Sequence, residues 1–173
     1  PGDIVAVTGA FGNTASGLKI LKENLTVPEL LKKKLTDSVL MPHARLNEGL
    51  SLTQTGAVTA SIDSSDGLAW SLHEISKASN VGFIIDRLPT AKETIRFARL
   101  FKFDPTDLCL YGGEEYEIVL TVKPKLYEKV NKRVHLIKIG RVTKEPLVNL
   151  ELRGKSTPIE ARGWEHFKSN RRH

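Results

Sequence analysis

The chain has 173 residues, with 26 Lys and Arg against 20 Asp and Glu, a formal net charge of +6, 40% hydrophobic residues and 27% charged residues. That length supports one sizeable core, and that composition excludes wholesale disorder, collagen-like repeats and coiled coil. Apolar runs such as Ile118-Val119-Leu120 are far short of the roughly 20 residues a membrane helix needs, and the single cysteine, Cys109, excludes a disulfide framework or a Cys-rich zinc module.

Ile4–Thr8 reads as a short buried strand between Gly2 and Gly9. The small-residue loop Gly9–Gly17 follows, and Asn13 or Thr14 is suited to cap a helix to about Leu25, with Leu18, Leu21 and Leu25 on one face. Pro28 opens a second helix to about Leu40, Pro42 ends it, and 42–56 reads as irregular. A strand from Ala57 to Ile62 runs into Asp63-Ser64-Ser65-Asp66-Gly67, then a helix to about Ser79 with Leu68, Leu72 and Ile75 facing the core. Val81–Asp86 reads as a strand and Ala91–Phe101 as an amphipathic helix packing through Ile95, Ala98 and Leu100. Tyr116–Val122 is a β-prone run followed by a short helix after Pro124. Val134–Val142 and Leu147–Leu152 read as two final strands, arranged as a hairpin. Later strands crowd together, so the pattern predicts a mixed α/β or α+β sheet rather than a parallel one.

Two clusters carry the candidate chemistry. A strand delivers Asp63 and Asp66 into the turn before a helix, with Ser64 and Ser65 between them. Carboxylates there can hold Mg²⁺, and the helix start favours anionic oxygens; plain capping explains one of the acids equally well. Gly112-Gly113-Glu114-Glu115-Tyr116-Glu117 places glycines and consecutive acids before a strand, which suits either a cation-neutralised ligand loop or an exposed acidic turn. Thr8–Gly12 lacks the phosphate-loop lysine and the dinucleotide glycine spacing, so tight strand-to-helix packing explains it better. Trp164 either clamps a flat ring or anchors the tail. Of the five histidines, those at 43, 73, 135 and 166 have no metal-ligand spacing, and Cys109 reads as a packed residue. Basic residues form no aromatic-interleaved stripe, which argues against a nucleic-acid binder.

Taken together, the blocks Pro1-Gly-Asp, Val7-Thr-Gly9, Ala15-Ser-Gly17-Leu18, Pro42-His-Ala-Arg45-Leu46, Ile62–Leu68, Ala78–Gly82, Leu88-Pro89, Gly112–Glu117 and Gly163-Trp-Glu-His-Phe167 resemble the C-terminal domain of the thiamine-monophosphate kinase family. That family is related to aminoimidazole ribonucleotide synthetase. The resemblance implies a three-layer α/β/α fold with a mixed sheet, spanning 1–173 as a single domain. It also implies transfer of a phosphoryl group from ATP to thiamine monophosphate, in line and assisted by Mg²⁺, without a phosphoenzyme. By the same resemblance Asp63 and Asp66 bind metal, Ser65 contacts ATP, and Glu114 and Trp164 contact the substrate.

Three positions depart from the family pattern: Ser64 for an apolar residue, Glu115 for aspartate, and Ala44 for a frequent proline. Pro1 opens without methionine, and the family carries an N-terminal ATP- and Mg²⁺-binding domain. The expectation is therefore a fragment that is silent alone, from a homodimeric cytoplasmic enzyme. The competing expectations are a related ATP-dependent synthetase and a non-catalytic binding domain that keeps the fold.

Overall fold

The computed structural model describes residues 1–163; residues 164–173, with Trp164, lie outside the described residues. In chain order the elements are β1 (Ile4–Val7), α1 (Asn13–Glu23), α2 (Glu29–Leu40), α3 (Leu46–Thr53), β2 (Val58–Asp63), α4 (Leu68–Ser79) and β3 (Gly82–Ile85). There follow α5 (Lys92–Phe101), α6 (Pro105–Tyr111), β4 (Ile118–Val122), a 3-10 turn at Pro124–Leu126 and α7 (Tyr127–Asn131). The described residues close with β5 (Ile137–Thr143), β6 (Val148–Leu152) and β7 (Lys155–Pro158).

Among the described residues seven strands form one sheet in the order β2-β4-β1-β5-β3-β6-β7. Among these described strands β3 and β6 alone pair in parallel. The mixed α/β sheet is as expected, but the hairpin is not. β3 inserts between β5 and β6, and β6 instead turns back on β7, a fully exposed Lys-Ser-Thr-Pro strand with no apolar alternation to reveal it.

Strand alternation divides the core in two, since successive side chains leave opposite faces of a sheet. Val5, Val7 and Val119 meet Leu68 and Leu72 of α4 and Cys109 and Leu110 of α6 on one face. Ala6, Leu120 and Val122 meet Leu52 of α3 and Val130 of α7 on the other. A third cluster, with Ile20, Leu31, Leu35, Phe97 and Leu108, joins α1, α2, α5 and α6.

Helix details correct the pattern reading at several points. α1 starts after a left-handed Gly12 with no side-chain cap, so neither Asn13 nor Thr14 caps it. Its buried face is Thr14, Ser16, Gly17 and Ile20, while Leu21 is 40% exposed. Small residues are needed because α2 crosses so closely that a Cβ on Gly17 would collide with the Leu35 carbonyl. In α5, Leu100 is exposed and Phe97 is buried in its place, packed with Phe101 and Phe103. The stretch read as irregular contains α3, which buries only Leu52 and so shows little apolar periodicity. α6 begins at Pro105, capped by the Asp104 carboxylate, which accepts the Thr106 N–H.

Candidate functional site

β1 and β2 end at Val7 and Asp63, and β4, antiparallel to both, begins at Ile118. Three loops therefore gather at one end of the sheet: Thr8–Gly12, Ser64–Gly67 and Gly112–Glu117.

The first acidic turn is held by its backbone. Asp63, opposite Ile118 in the ladder, is exposed, while Ser64 is buried and Ser65 and Asp66 are partly covered. Gly67 precedes α4 at φ 107°, and a Cβ there would sit 3.0 Å from the Gly112 carbonyl oxygen, so both conformation and closeness require glycine. Among the described residues no side chain caps α4, so neither carboxylate is there as its cap. Among the described residues no ion pair engages Asp63 or Asp66, and Asp66 Oδ2 accepts only a long 3.4 Å bond from the Ser65 hydroxyl.

The second acidic loop is bonded directly to the first. Glu114 N–H donates to the Ser65 carbonyl at 2.6 Å and Tyr116 N–H to the Ser64 carbonyl at 3.0 Å, while Ser64 N–H donates to the Glu117 carbonyl at 2.8 Å. Ser65 and Glu114, far apart in sequence, are thus adjacent. Gly163 closes the same rim: a Cβ on it would lie 2.5 Å from the Asp66 carbonyl oxygen.

The other two acids of the loop turn inward. Glu115 Oε1 accepts the N–H groups of Gly12 at 2.6 Å and Thr14 at 3.1 Å. Burial pushes its carboxyl up to about 7, against the lowering effect of the Thr14 and Gly12 bonds, and the negative Glu117 adds to the rise. Glu117 is buried and accepts from Arg45 through Nε at 2.8 Å and Nη2 at 2.6 Å, and from the Thr8 hydroxyl at 2.6 Å. The hydrogen bond to Glu117 raises the Arg45 pKa further. Thr8 also takes the Ile118 N–H at 2.8 Å. The α1 start, an anion-attracting place, is filled by the protein's own carboxylate, in keeping with a packing role for the Gly9 loop.

A match to the family "AIR synthase related protein, C-terminal domain" covers residues 1–153. The chain belongs to this family. It is 35% identical over 171 residues to a thiamine-monophosphate kinase of Nitrosopumilus maritimus, covering 96% of this chain and 54% of that protein. It is 31% identical over 170 residues to the thiamine-monophosphate kinase of Pyrococcus horikoshii, covering 97% and 51%. A solved structure described as AaThiL complexed with AMPPCP and TMP superposes with a TM-score of 0.80 at 28% identity, over 96% of this chain and 52% of that one. The chain spans about half the length of the curated relatives it matches.

In this AIR synthase related domain two cavities flank the second acidic loop. One, of about 660 Å³, is lined by Lys34, His43, Arg45, Lys92, Glu115 and Glu117 among others. The other, of about 580 Å³, lies between α1 and α6 and is lined by Ala15, Leu18, Lys19, Tyr111, Gly113 and Glu114. Asp63, Ser65 and Asp66 line neither. Among the described residues no cluster of three or more metal-ligating side chains forms, so the two aspartates are a partial ligand set. Two carboxylates without cationic partners among the described residues nevertheless fit Mg²⁺, which keeps waters and takes phosphate oxygens beside one or two carboxylates. Cys109 is buried, and burial raises its thiol to about 12, which excludes a ready thiolate. Among the described residues no helix is long and apolar enough to cross a membrane.

The anchoring residues Thr8, Arg45, Glu115 and Glu117 escape residue-by-residue sequence reading. A buried carboxylate signals itself only through its partners, and Arg45 lies 72 positions from Glu117.

Proposed function

We propose that this domain is the C-terminal half of a thiamine-monophosphate kinase, which transfers the γ-phosphoryl group of ATP to the phosphate of thiamine monophosphate, yielding thiamine diphosphate and ADP. The observation that carries this reading is the 2.6 Å bond from Glu114 N–H to the Ser65 carbonyl, which puts the two acidic turns on one rim. The names of the relatives and the AMPPCP and TMP of the solved structure support the same substrates.

The chemistry asks for placement rather than a protein nucleophile, because phosphoryl transfer depends mainly on positioning and electrostatics. A phosphate oxygen of thiamine monophosphate attacks the γ-phosphorus in line, the bond to the ADP oxygen breaks, and no phosphoenzyme forms. Asp63 and Asp66 would hold Mg²⁺, which when bound offsets the charge of the polyphosphate. The Ser65 hydroxyl donates to a phosphate oxygen of ATP. Glu114 sets a carboxylate against the cationic thiazolium, and Trp164 supplies a flat face for a ring. The remaining half of the polypeptide supplies further metal and nucleotide contacts and the homodimer interface. The enzyme works in the cytoplasm, and the 173-residue chain alone is inactive.

A coupled assay of ADP release tests this. The intact polypeptide should release ADP with thiamine monophosphate and not with an aminoimidazole ribonucleotide precursor or selenide, and the 173-residue chain alone should release none. Turnover with one of the other acceptors instead would replace the reading with that of a related synthetase.

A further inference from the structure

The Gly112–Glu117 block holds two non-glycine residues, Glu114 and Tyr116, in the left-handed region, at φ 62° and 52°. Side chains with a Cβ disfavour that conformation, and it persists only where the surroundings over-determine it. The residue between them is Glu115. Its Oε1 takes the Gly12 and Thr14 amides, and the Thr14 hydroxyl lies 3.5 Å from the Glu114 carbonyl oxygen. α1 has no side-chain cap at its N-cap position, so Glu115, 101 positions from Thr14, satisfies the helix start in its place.

The result is a rigid link between loop and helix. Glu114 lines the 580 Å³ cavity from one side, and Ala15, Leu18 and Lys19 of α1 line it from the other. We propose that Glu115 is a positioning residue for the substrate: by tying the loop to the start of α1 it fixes Glu114 across that cavity and so sets the affinity for the cationic phosphate ester. This rests on the reading of Glu114 as a substrate group.

Steady-state kinetics of the intact enzyme, with amide exchange at Gly12, Thr14 and Glu114, tests the proposal. E115A leaves the two amides without an acceptor and lets Glu114 relax. KM for thiamine monophosphate then rises about tenfold or more while KM for ATP stays within about twofold. E115Q keeps an oxygen acceptor at the same reach and holds both constants within about threefold. The Gly12, Thr14 and Glu114 amides are protected in the wild type and in E115Q and exchange faster in E115A. An unchanged substrate KM in E115A overturns the proposal, and so does a KM in E115Q as high as in E115A. If E115A does not fold, fast exchange of the Gly12 and Thr14 amides in the wild type or E115Q overturns it, and protection supports it. Exchange needs no substrate. A protein that fails to phosphorylate thiamine monophosphate thus sinks the function while the Glu114 amide still decides the positioning.

Discussion

Arg45→Ala removes the two-pronged bond to Glu117 and leaves that carboxylate, among the described residues, with the Thr8 hydroxyl alone, in a place where it is 5% exposed. Breaking a buried pair by deleting one partner costs about 3–5 kcal/mol, because the surviving charge stays desolvated. The Arg45 side chain is 30% exposed, so water can enter the gap and the cost falls just below that range, to about 2–3 kcal/mol after discounting for screening. Urea unfolding of the 173-residue chain measures it directly, and for a domain of this size the loss corresponds to a fall in Tm of roughly 2–4 °C per kcal/mol. The double variant R45M/E117L should recover much of the loss, since it leaves no charge in the buried Glu117 place and strands only the partly exposed Glu48, the other partner of Arg45 at 3.4 Å. A cost below about 0.5 kcal/mol, in the range of an exposed pair, would refute the anchoring argument.

Three further variants probe the frame. Gly17→Ala drives a methyl into the Leu35 carbonyl and should destabilise by more than about 2 kcal/mol, read by thermal unfolding. Ser64 Oγ is buried with no hydrogen-bond partner among the described residues, so S64A should leave stability unchanged or raise it by up to about 1–2 kcal/mol; a clear loss would reveal a missed partner. Glu115 has a folded pKa raised from its ordinary 4.5 to about 7, so the folded state binds a proton more tightly than the unfolded chain. Stability should therefore fall as pH rises from about 4.5 to 7 and level off above that. E115Q should flatten this slope, as urea midpoints at pH 5 and pH 8 would show.

The elements with strong apolar signals were legible in the sequence: β1, β2, α4 and β4 lie within a residue or two of their expected bounds. α3 and β7 were not, because one buries a single leucine and the other buries nothing. Pairing was harder to read than existence. Nothing local in 137–152 tells β5 to accept β3 rather than β6, since that choice is made by the crossover through the whole sheet. At the site, the candidate acids stood out because adjacent carboxylates beside glycines are unusual, and the structure joins their two turns through backbone bonds. Arg45 and Glu115 stayed hidden as anchors because their partners lie 72 and about 100 positions away.

Whether Asp63 holds Mg²⁺ for phosphoryl transfer is decided by thiamine diphosphate formation in the intact enzyme, followed against Mg²⁺ concentration for the wild type and Asp63→Asn. Product should be Mg²⁺-dependent in the wild type and fall at least about a hundredfold in the variant at fixed Mg²⁺, as expected when a metal-positioning group is removed. Equal rates and equal Mg²⁺ dependence in the two proteins would contradict that role.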